Sequence, residues 1–219
     1  GLGYSYAQED EQGYWHGIGP FDIKTGEKIN PNVPHMTDIV AEKVYEILQK
    51  DQKAVLICSA MVWGAHLSKC FKDFKERTID VGIAEEHGIA MASGIAKNGG
   101  KPVFATHSSF MQRTYDQLSQ DLCINNSPAT ILVNTASVYG MNDVTHLGLY
   151  DIPMISNIPN MVYLAPTSKE EYFAMLDWSI EQTEHPVAIR IPCNGLISDG
   201  RAPDTDYSDI NKFKVEQKG

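Results

Sequence analysis

Short runs of continuously apolar residues, separated by segments with helical spacing, constrain this fold more than any other feature. The runs AVLICSA, PVFATH, TILVNTA and VAIRIP contain little alternation of apolar and polar residues. A strand of that composition is buried on both faces, which is typical of a parallel sheet covered by helices on each side. The pattern therefore predicts an α/β fold with three αβα layers and a mostly parallel sheet.

The remaining pattern divides the chain into an arm, a folded unit and a tail. Residues 1–34 are rich in glycine, tyrosine and charge without a steady period, and predict an extended arm or linker. Residues 35–192 carry the alternating elements, and residues 193–219 resemble a linker towards another domain. Predicted helices are 37–50 (capped by Thr37 or Asp38), a short one within 68–77, Ala84–Lys97, Ser109–Ile124 and Lys169–Gln182, with further strands at TIDVG and MVYLAP.

The charge and cysteine content exclude several classes of function. Lys and Arg total 18 against 28 Asp and Glu, and the net charge of −10 gives no broad attraction to nucleic acid or to an anionic membrane. No apolar run reaches membrane-spanning length, and the first residues carry no signal-peptide pattern. The four cysteines form no Cys-x-x-Cys and no zinc-like spacing, which predicts buried free thiols in a reducing cytoplasm and no metal ligands in this chain.

Ionisable and aromatic residues concentrate where the predicted strands end. In open parallel sheets, ligands bind outside the carboxyl ends of the strands. Four of the predicted strands are followed by such residues: Glu85 after TIDVG; His107, Phe110 and Arg113 at and after PVFATH; Asn142, Asp143 and His146 after TILVNTA; and Arg190 after VAI. The sequence therefore predicts one binding site at this edge of the sheet.

The carboxylate pair Glu85 and Glu86 stands at the start of a helix that is rich in small residues. Neighbouring residues on a helix point about 100° apart, so the two side chains cannot face one ligand. Gly88 and Gly94 each cost about 1 kcal/mol relative to alanine in a helix interior. A helix with such small side chains allows the backbone of another helix to approach closely. This predicts a partner helix packed against it beside Glu85.

Five motifs occur in an order and spacing typical of one family. The segments are DVGIAEEHGIAMASGIA, SSFMQRTYDQ, VTHLGLYD, IPNMVYLAP and PVAIRIP, and the order and spacing hold over residues 1–192, nearly the whole chain. Together they resemble the pyrimidine-binding domain of the transketolase superfamily, and most closely that of the 1-deoxy-D-xylulose-5-phosphate synthases. The resemblance implies the fold of that thiamine-diphosphate-binding domain and thiamine diphosphate as cofactor.

The resemblance also assigns roles on the cofactor side. Glu85 matches the family glutamate that hydrogen-bonds N1′ of the aminopyrimidine, and sharing that proton favours the 4′-imino tautomer, whose nitrogen deprotonates the thiazolium C2. A carboxylate does this best where water is excluded. Phe110 matches the aromatic residue that stacks on the pyrimidine ring. Arg113 is expected either to pair with Glu85 or to steady the cofactor pocket, while Glu86 is expected to be structural.

On the substrate side, His146 matches the family histidine that faces donor and acceptor, and is expected to be catalytic. Arg190 matches an arginine that holds the acceptor's phosphate, and His16 lies where the family has a histidine near the site. Asn142 and Asp143 occupy the positions of a family aspartate and glycine, and His107 that of a tyrosine; all three are expected to contact substrate.

Three positions depart from the family pattern. Asn142 replaces an aspartate, His107 replaces a tyrosine, and Thr135 stands near the position of an expected arginine that would be a further phosphate contact. All three lie on the substrate side. The resemblance therefore specifies the cofactor in more detail than the acceptor.

The implied enzyme decarboxylates pyruvate and transfers the two-carbon unit to glyceraldehyde 3-phosphate, in the synthesis of isoprenoid, thiamine and pyridoxal precursors. It is expected to be a homodimer whose separate N-terminal diphosphate-binding domain carries the magnesium ligands, since no Gly-Asp-Gly motif with a downstream asparagine occurs here. The chain alone is then expected to hold half a cofactor site and to show no turnover. The alternatives are a transketolase, a 2-oxoacid dehydrogenase beta-type subunit, or a non-catalytic interaction module.

Overall fold

A six-stranded, entirely parallel sheet forms the centre of the computed structural model, which describes residues 3–10, 15, 19–27, 29, 36–138, 144–192 and 197–209. The strand order is β2-β1-β3-β4-β6-β5. The strands are Ala54–Cys58 (β1), Thr78–Asp80 (β2), Lys101–His107 (β3), Thr130–Asn134 (β4), Val162–Leu164 (β5) and Val187–Arg190 (β6). All six coincide with predicted strands, and the predicted α/β fold is confirmed, with a sheet that is parallel throughout.

Helices connect the strands and lie close to their predicted positions. The α-helices are Ser5–Gln8 (α1), Met36–Lys50 (α2), Ser68–Asp73 (α3), Glu85–Lys97 (α4), Tyr115–Gln117 (α5), Asp151–Ile155 (α6) and Lys169–Glu181 (α7). The prediction did not include α1 or α6. The expected cap of α2 is wrong, because Thr37 and Asp38 lie inside its first turn.

Residues 108–123 differ from the single regular helix that was predicted. They form a 3₁₀ helix, Ser108–Thr114, followed by α5 and a π-helical turn, Leu118–Cys123. The buried residues of the 3₁₀ segment are Ser108, Met111 and Thr114, which recur every third position. That spacing matches about three residues per turn and brings positions i and i+3 onto one side. The segment therefore presents Phe110 and Arg113 on a common side.

The core has two layers, one on each face of the sheet. Consecutive strand residues point to opposite faces, so Leu56 belongs to one apolar cluster and Ile57 to the other. The first cluster includes residues of α2 and α7, and the second includes residues of α4 and of the 108–123 segment. This division confirms the three-layer αβα arrangement.

The two glycines of α4 have different surroundings. A Cβ added at Gly88 would lie 2.4 Å from Cε2 of Phe104, a fully buried residue of β3. At Gly94, which is exposed, it would meet nothing within 4 Å. Gly88 is thus required by the close packing of α4 on its own sheet, and the partner predicted beside Glu85 stays a prediction. Gly94 lies on the solvent-facing side of the helix.

We expect Gly88→Ala to lower the free energy of unfolding by about 1–3 kcal/mol, because the buried Phe104 ring cannot move aside without disturbing the core. The matched control, Gly94→Ala, is expected to raise it by up to about 1 kcal/mol, since alanine is the better helix former. Urea denaturation of the two variants measures both effects. Equal midpoints for the two variants would contradict the close contact.

The described part of the arm is more ordered than an extended linker. Helix α1 lies beside an aromatic cluster in which the ring centroids of Tyr4 and Trp15 are 5.1 Å apart and those of Trp15 and Phe21 are 4.7 Å apart.

Among the described residues, no helix combines the length and apolar character needed to cross a membrane.

The described cysteines, Cys58, Cys70 and Cys123, are buried free thiols. Burial raises the pKa of each thiol, to about 12 for Cys58 and Cys123 and to about 11 for Cys70. They are therefore protonated and unreactive at neutral pH. Cys193 lies outside the described residues.

Candidate active site

The turn between β2 and α4 places Glu85 at the carboxyl end of the sheet. Asp80 closes this turn by accepting hydrogen bonds from the backbone N–H groups of Gly82 (2.9 Å) and Ala60 (2.8 Å). The Glu85 side chain is 4% exposed, whereas that of Glu86 is 43% exposed. The two carboxylates therefore differ in their surroundings, as the helical geometry predicts, and only Glu85 is buried against the site.

Arg113 reaches from the 3₁₀ segment to the start of α4. Its Nε lies 2.8 Å from Oε2 of Glu85, and its Nη2 lies 3.8 Å from Oε2 of Glu86. The first contact is an ion pair without the alignment of a hydrogen bond, and Oε2 of Glu85 has no aligned donor among the described residues. Of the two expected roles for Arg113, pairing with Glu85 is the one the structure shows. The buried carboxylate keeps an oxygen able to accept a hydrogen bond.

Three aromatic rings meet at the same end of the sheet. His107 ends β3, Phe110 lies in the 3₁₀ segment, and His146 ends a second 3₁₀ turn, Val144–His146. The rings of His107 and Phe110 are stacked with centroids 5.6 Å apart, and His146 contacts both edge-on at 6.0 and 5.3 Å. The structure thus brings together three predicted site residues from two separate parts of the chain. Nδ1 of His146 also lies 2.8 Å from Oγ1 of Thr145.

His107 is a neutral base in these surroundings. Burial, and then the neighbouring His146, lower its pKa from 6.5 to about 4. Its Nδ1 is buried and has no hydrogen-bond partner among the described residues. An uncharged imidazole of this kind can donate or accept a hydrogen bond but cannot pair electrostatically with an anion at neutral pH.

The His107 pKa also predicts a pH dependence of stability. Because the folded-state pKa lies below the unfolded value of 6.5, the unfolded chain binds the proton more readily, and stability falls as pH drops from about 6.5 towards 4. Between about pH 7 and pH 5 we expect the wild type to lose about 2 kcal/mol more than a His107→Gln variant. Urea titrations at several pH values measure the difference. The control is His87→Gln, which replaces an exposed histidine and should keep the wild-type dependence of stability on pH. If His107→Gln also kept the wild-type dependence, the burial of the His107 ring would be contradicted.

Arg190 lies in a buried ion pair at the end of β6. Its Nε is 2.6 Å from Oδ2 of Asp151, a carboxylate with a fully buried side chain, and its Nη2 donates to the carbonyl oxygen of Gly148 at 3.4 Å. The hydroxyl of Tyr163 donates to the same Oδ2 at 2.6 Å, and burial raises the pKa of that hydroxyl. Oδ1 of Asp151 has no partner among the described residues. The guanidinium charge is thus compensated within the chain.

A cavity of about 420 Å³ lies at the opposite end of the sheet, near Lys101, whereas a cavity of about 350 Å³ is lined by residues that are sequence neighbours of the three rings. The second cavity is lined by Ser108, Ser109, Gln112, Thr145 and Asp151, among others. Since it lies at the carboxyl ends of the strands, it is the one that fits a substrate site in a parallel sheet.

The strand register brings the predicted residues level with each other. His107 is opposite Asn134, and Val133 is opposite Arg190, so the ends of β3, β4 and β6 meet in one region. Thr135, near where an arginine was expected, is buried and has φ +56°. His16, Asn142 and Asp143 lie outside the described residues, so their predicted roles stay predictions.

Sequence reasoning missed Asp151 and Tyr163 as members of the site. Asp151 was part of the quoted segment VTHLGLYD but received no role. Its position three residues after Gly148 gives no sign that it is buried against Arg190. The described residues contain no group of three or more His, Cys, Asp or Glu side chains placed to hold a metal ion.

Sequence comparisons match this arrangement to known proteins. Residues 33–196 match the family described as "Transketolase, pyrimidine binding domain". The 1-deoxy-D-xylulose-5-phosphate synthase of Clostridium acetobutylicum is 39% identical over 204 residues, covering 93% of this chain and 33% of that protein. The synthase of Shouchella clausii is 37% identical over 223 residues, covering 100% of this chain and 35% of that protein. The chain thus spans about a third of the length of these curated relatives.

Solved structures share the fold. A split-gene transketolase, described as an inactive beta4 tetramer, has a TM-score of 0.61 at 22% identity and covers 74% of this chain and 53% of its own. A mutant transketolase of Pichia stipitis, in complex with fructose 6-phosphate, has a TM-score of 0.68 at 16% identity and covers 77% of this chain and 27% of its own. At these identities the likeness establishes the architecture alone.

Proposed function

This chain belongs to the transketolase pyrimidine-binding domain family, and from that premise we propose that it supplies the pyrimidine half of the active site in a thiamine-diphosphate-dependent transferase like 1-deoxy-D-xylulose-5-phosphate synthase. The donor would be pyruvate, which loses CO₂, and the acceptor an aldehyde. Glyceraldehyde 3-phosphate is the aldehyde that the resemblance to these synthases implies.

The buried carboxylate of Glu85 is the observation that carries this proposal. It stands at the start of α4, where the helix dipole favours negative charge, and its Oε2 lacks an aligned hydrogen-bond donor among the described residues. A buried carboxylate oxygen without an aligned hydrogen bond is costly, even with the Arg113 guanidinium 2.8 Å away. The protonated ring nitrogen of an aminopyrimidine is a donor that suits it, so the residues present fit the cofactor.

The neighbouring side chains fit the same ligand. Phe110 and Arg113 share one side of the 3₁₀ segment, and Arg113 contacts Glu85, so the Phe110 ring lies on the side of the carboxylate. A flat aromatic face is suited to stacking on a pyrimidine. Arg113 would hold the Glu85 carboxylate in place through its 2.8 Å contact.

Each residue of the site would then have its own role. When bound, the cofactor supplies a nucleophilic thiazolium carbon. Glu85 would hold a proton at the pyrimidine ring, Phe110 would fix the plane of that ring, and Arg113 would keep the carboxylate oriented. His146, beside Phe110, would exchange protons with the reacting oxygen atoms of donor and acceptor. His107, Asn142, Asp143, Arg190 and His16 would surround the substrates.

The rest of the assembly is also part of the proposal. Residues 35–192 would form the domain, preceded by an arm and followed by a linker. A diphosphate-binding domain would supply the magnesium ligands, and a second copy would complete a homodimer in the cytoplasm. The exposed, smooth side of α4 around Gly94 is a suitable surface for such a contact.

The test uses the complete enzyme, meaning this chain together with the diphosphate-binding domain that the proposal requires. Release of CO₂ from pyruvate should depend on added thiamine diphosphate and Mg²⁺, and should disappear when the cofactor is removed by dialysis and return when it is restored. A complete enzyme that neither binds the cofactor nor consumes pyruvate would contradict the proposed function.

A further inference from the structure

The chain segment that carries His146 has exposed side chains on both sides of that residue. Val144 is 81% exposed, and Leu149 and Tyr150 are 49% and 68% exposed. Side chains in solvent contribute little to holding a backbone in place. The buried residues of segment 144–151 are Gly148 and Asp151, so the position of the segment on the sheet depends on the contacts of these two residues.

Gly148 packs directly against the backbone that follows β4. A Cβ added to it would lie 2.5 Å from the backbone nitrogen of Ser137 and 2.6 Å from Cα of Ala136. Its N–H donates to the carbonyl oxygen of Ser137 at 3.0 Å, and the N–H of Ala136 donates to the carbonyl oxygen of Ile191, just after β6, at 2.9 Å. The segment is thus attached at Gly148 to the carboxyl ends of β4 and β6.

Asp151 attaches the end of the same segment to β5 and β6. Its side chain has no exposed surface, and its Oδ2 accepts hydrogen bonds from Nε of Arg190 and from the hydroxyl of Tyr163, each at 2.6 Å. Burial, and then the hydrogen bond to Asp151, raise the pKa of the Tyr163 hydroxyl, so it is a donor at neutral pH. The bond from Arg190 joins two charged groups and is therefore of the stronger kind.

The guanidinium of Arg190 connects these two points of attachment. Its Nε donates to Asp151, and its Nη2 donates to the carbonyl oxygen of Gly148 at 3.4 Å. A guanidinium is planar and rigid, so the carboxylate that orients Nε also sets the direction of Nη2. Because Gly148 is two residues after His146, a change at Asp151 would reach the backbone beside the histidine.

The ring of His146 has only modest contacts of its own with the other two rings. It meets Phe110 and His107 edge-on, with centroids 5.3 and 6.0 Å away, and such a contact contributes about 0.5–1.5 kcal/mol. Proton exchange needs the two heavy atoms within about 2.6–3.2 Å of each other. A displacement of about 1 Å can lower a rate by about a hundredfold, so the backbone of this segment must be held accurately.

We propose that Asp151 is a positioning residue for His146. It acts through Arg190 and Gly148, holds segment 144–151 on the carboxyl ends of β4, β5 and β6, and thereby sets the distance from the imidazole to the reacting oxygen atoms. This inference rests on the proposed function, in which His146 exchanges protons with the substrates. Asp151 itself touches neither substrate nor cofactor.

A double-mutant cycle of Asp151→Asn and His146→Gln in the complete enzyme tests this role. Asparagine keeps the size of the side chain and removes the charge that orients Arg190. The measurement is kcat for CO₂ release at saturating pyruvate, glyceraldehyde 3-phosphate and thiamine diphosphate. With His146 present, Asp151→Asn should lower kcat by about tenfold to a hundredfold. In the His146→Gln background it should lower kcat by less than about twofold, because the residue that it positions is already absent.

A purely structural role would give a different result. General damage to the fold would lower kcat by the same factor in both backgrounds, and that result would overturn the inference while leaving the proposed function intact. A kcat of Asp151→Asn within about twofold of the wild type would do the same. Wild-type kcat in His146→Gln would overturn the role of His146 and the inference with it. A wild-type enzyme without cofactor-dependent CO₂ release would overturn the proposed function itself.

Cofactor affinity provides a second readout. Glu85, Phe110 and Arg113 lie on α4 and on the 3₁₀ segment 108–114, outside segment 144–151. Asp151→Asn should therefore leave the dissociation constant of thiamine diphosphate, measured by isothermal titration calorimetry on the complete enzyme, within about twofold of the wild type. A rise of about tenfold or more would show that the whole site is disturbed, and would overturn a role confined to His146.

Tyr163→Phe tests the same network with a smaller change, and decides the question if Asp151→Asn does not fold. It keeps the ring and removes one hydrogen bond to Oδ2 of Asp151. With His146 present it should lower kcat by about twofold to tenfold, and in the His146→Gln background it should have no effect. The matched control is Tyr115→Phe, which removes an exposed hydroxyl bonded to Asn157 and should keep wild-type kcat. Equal losses from Tyr163→Phe in both backgrounds would overturn the inference.

Discussion

Replacement of Glu85 by alanine is expected to reduce turnover of the complete enzyme by at least about a hundredfold, the range seen when one acid–base group is lost. The physical reason is the position of this carboxylate, which is buried at the start of α4 with an oxygen open to a donor. Alanine removes the group that would hold the pyrimidine proton. The rate of CO₂ release from pyruvate, at saturating thiamine diphosphate, measures the effect.

The adjacent carboxylate provides the matched control. Glu86 has the same charge and the same helix turn, but its side chain is 43% exposed. Glu86→Ala should therefore retain turnover close to that of the wild type. Activity of Glu85→Ala above about a hundredth of the wild-type value would contradict the assignment of Glu85. So would equal losses in the two variants, which would point to a shared effect of charge on Arg113.

Replacement of Arg190 by alanine is expected to lower the free energy of unfolding by about 3–5 kcal/mol, which is the cost of breaking a buried ion pair. The Asp151 side chain has no exposed surface and would lose the guanidinium 2.6 Å away. Among the described residues, the hydroxyl of Tyr163 would remain as the donor to its Oδ2. Urea denaturation of the variant chain measures the change.

Two further variants identify the cause of that destabilisation. Adding Asp151→Asn to Arg190→Ala removes the uncompensated charge and should recover part of the lost stability. Lys50→Ala breaks the solvent-exposed pair with Glu46, and should leave the unfolding midpoint unchanged, because exposed pairs contribute little. If the double variant were as unstable as Arg190→Ala, loss of packing rather than the buried charge would be responsible.

The strands could be predicted because parallel strands buried on both faces have a composition that few other elements share. Leu56 and Ile57 illustrate the reason: adjacent residues enter different cores, so both must be apolar. The helix at 109–124 was predicted with the wrong geometry. Its buried residues recur every third position up to Thr114, as in a 3₁₀ helix. The prediction treated the whole segment as an α-helix with 3.6 residues per turn.

The site was predictable where a residue stands directly at the end of an element. Glu85 and His107 could be assigned to the site because the start of the helix and the end of the strand that carry them can be recognised in the sequence. The pairing of Arg190 with Asp151 could not be predicted, because the two residues are 39 positions apart. From the sequence alone, each resembles an ordinary charged residue of the surface. Whether an arginine faces a ligand or a buried carboxylate depends on that tertiary contact.

The two edges of the sheet affect how this domain can associate. Both edge strands, β2 and β5, are only three residues long. A strand this short offers few free backbone N–H and C=O groups to a strand from another chain, which limits edge-to-edge aggregation. We therefore expect any assembly of this domain to be built through helix faces and loops, and to leave the continuous backbone hydrogen bonding of the sheet confined to a single chain.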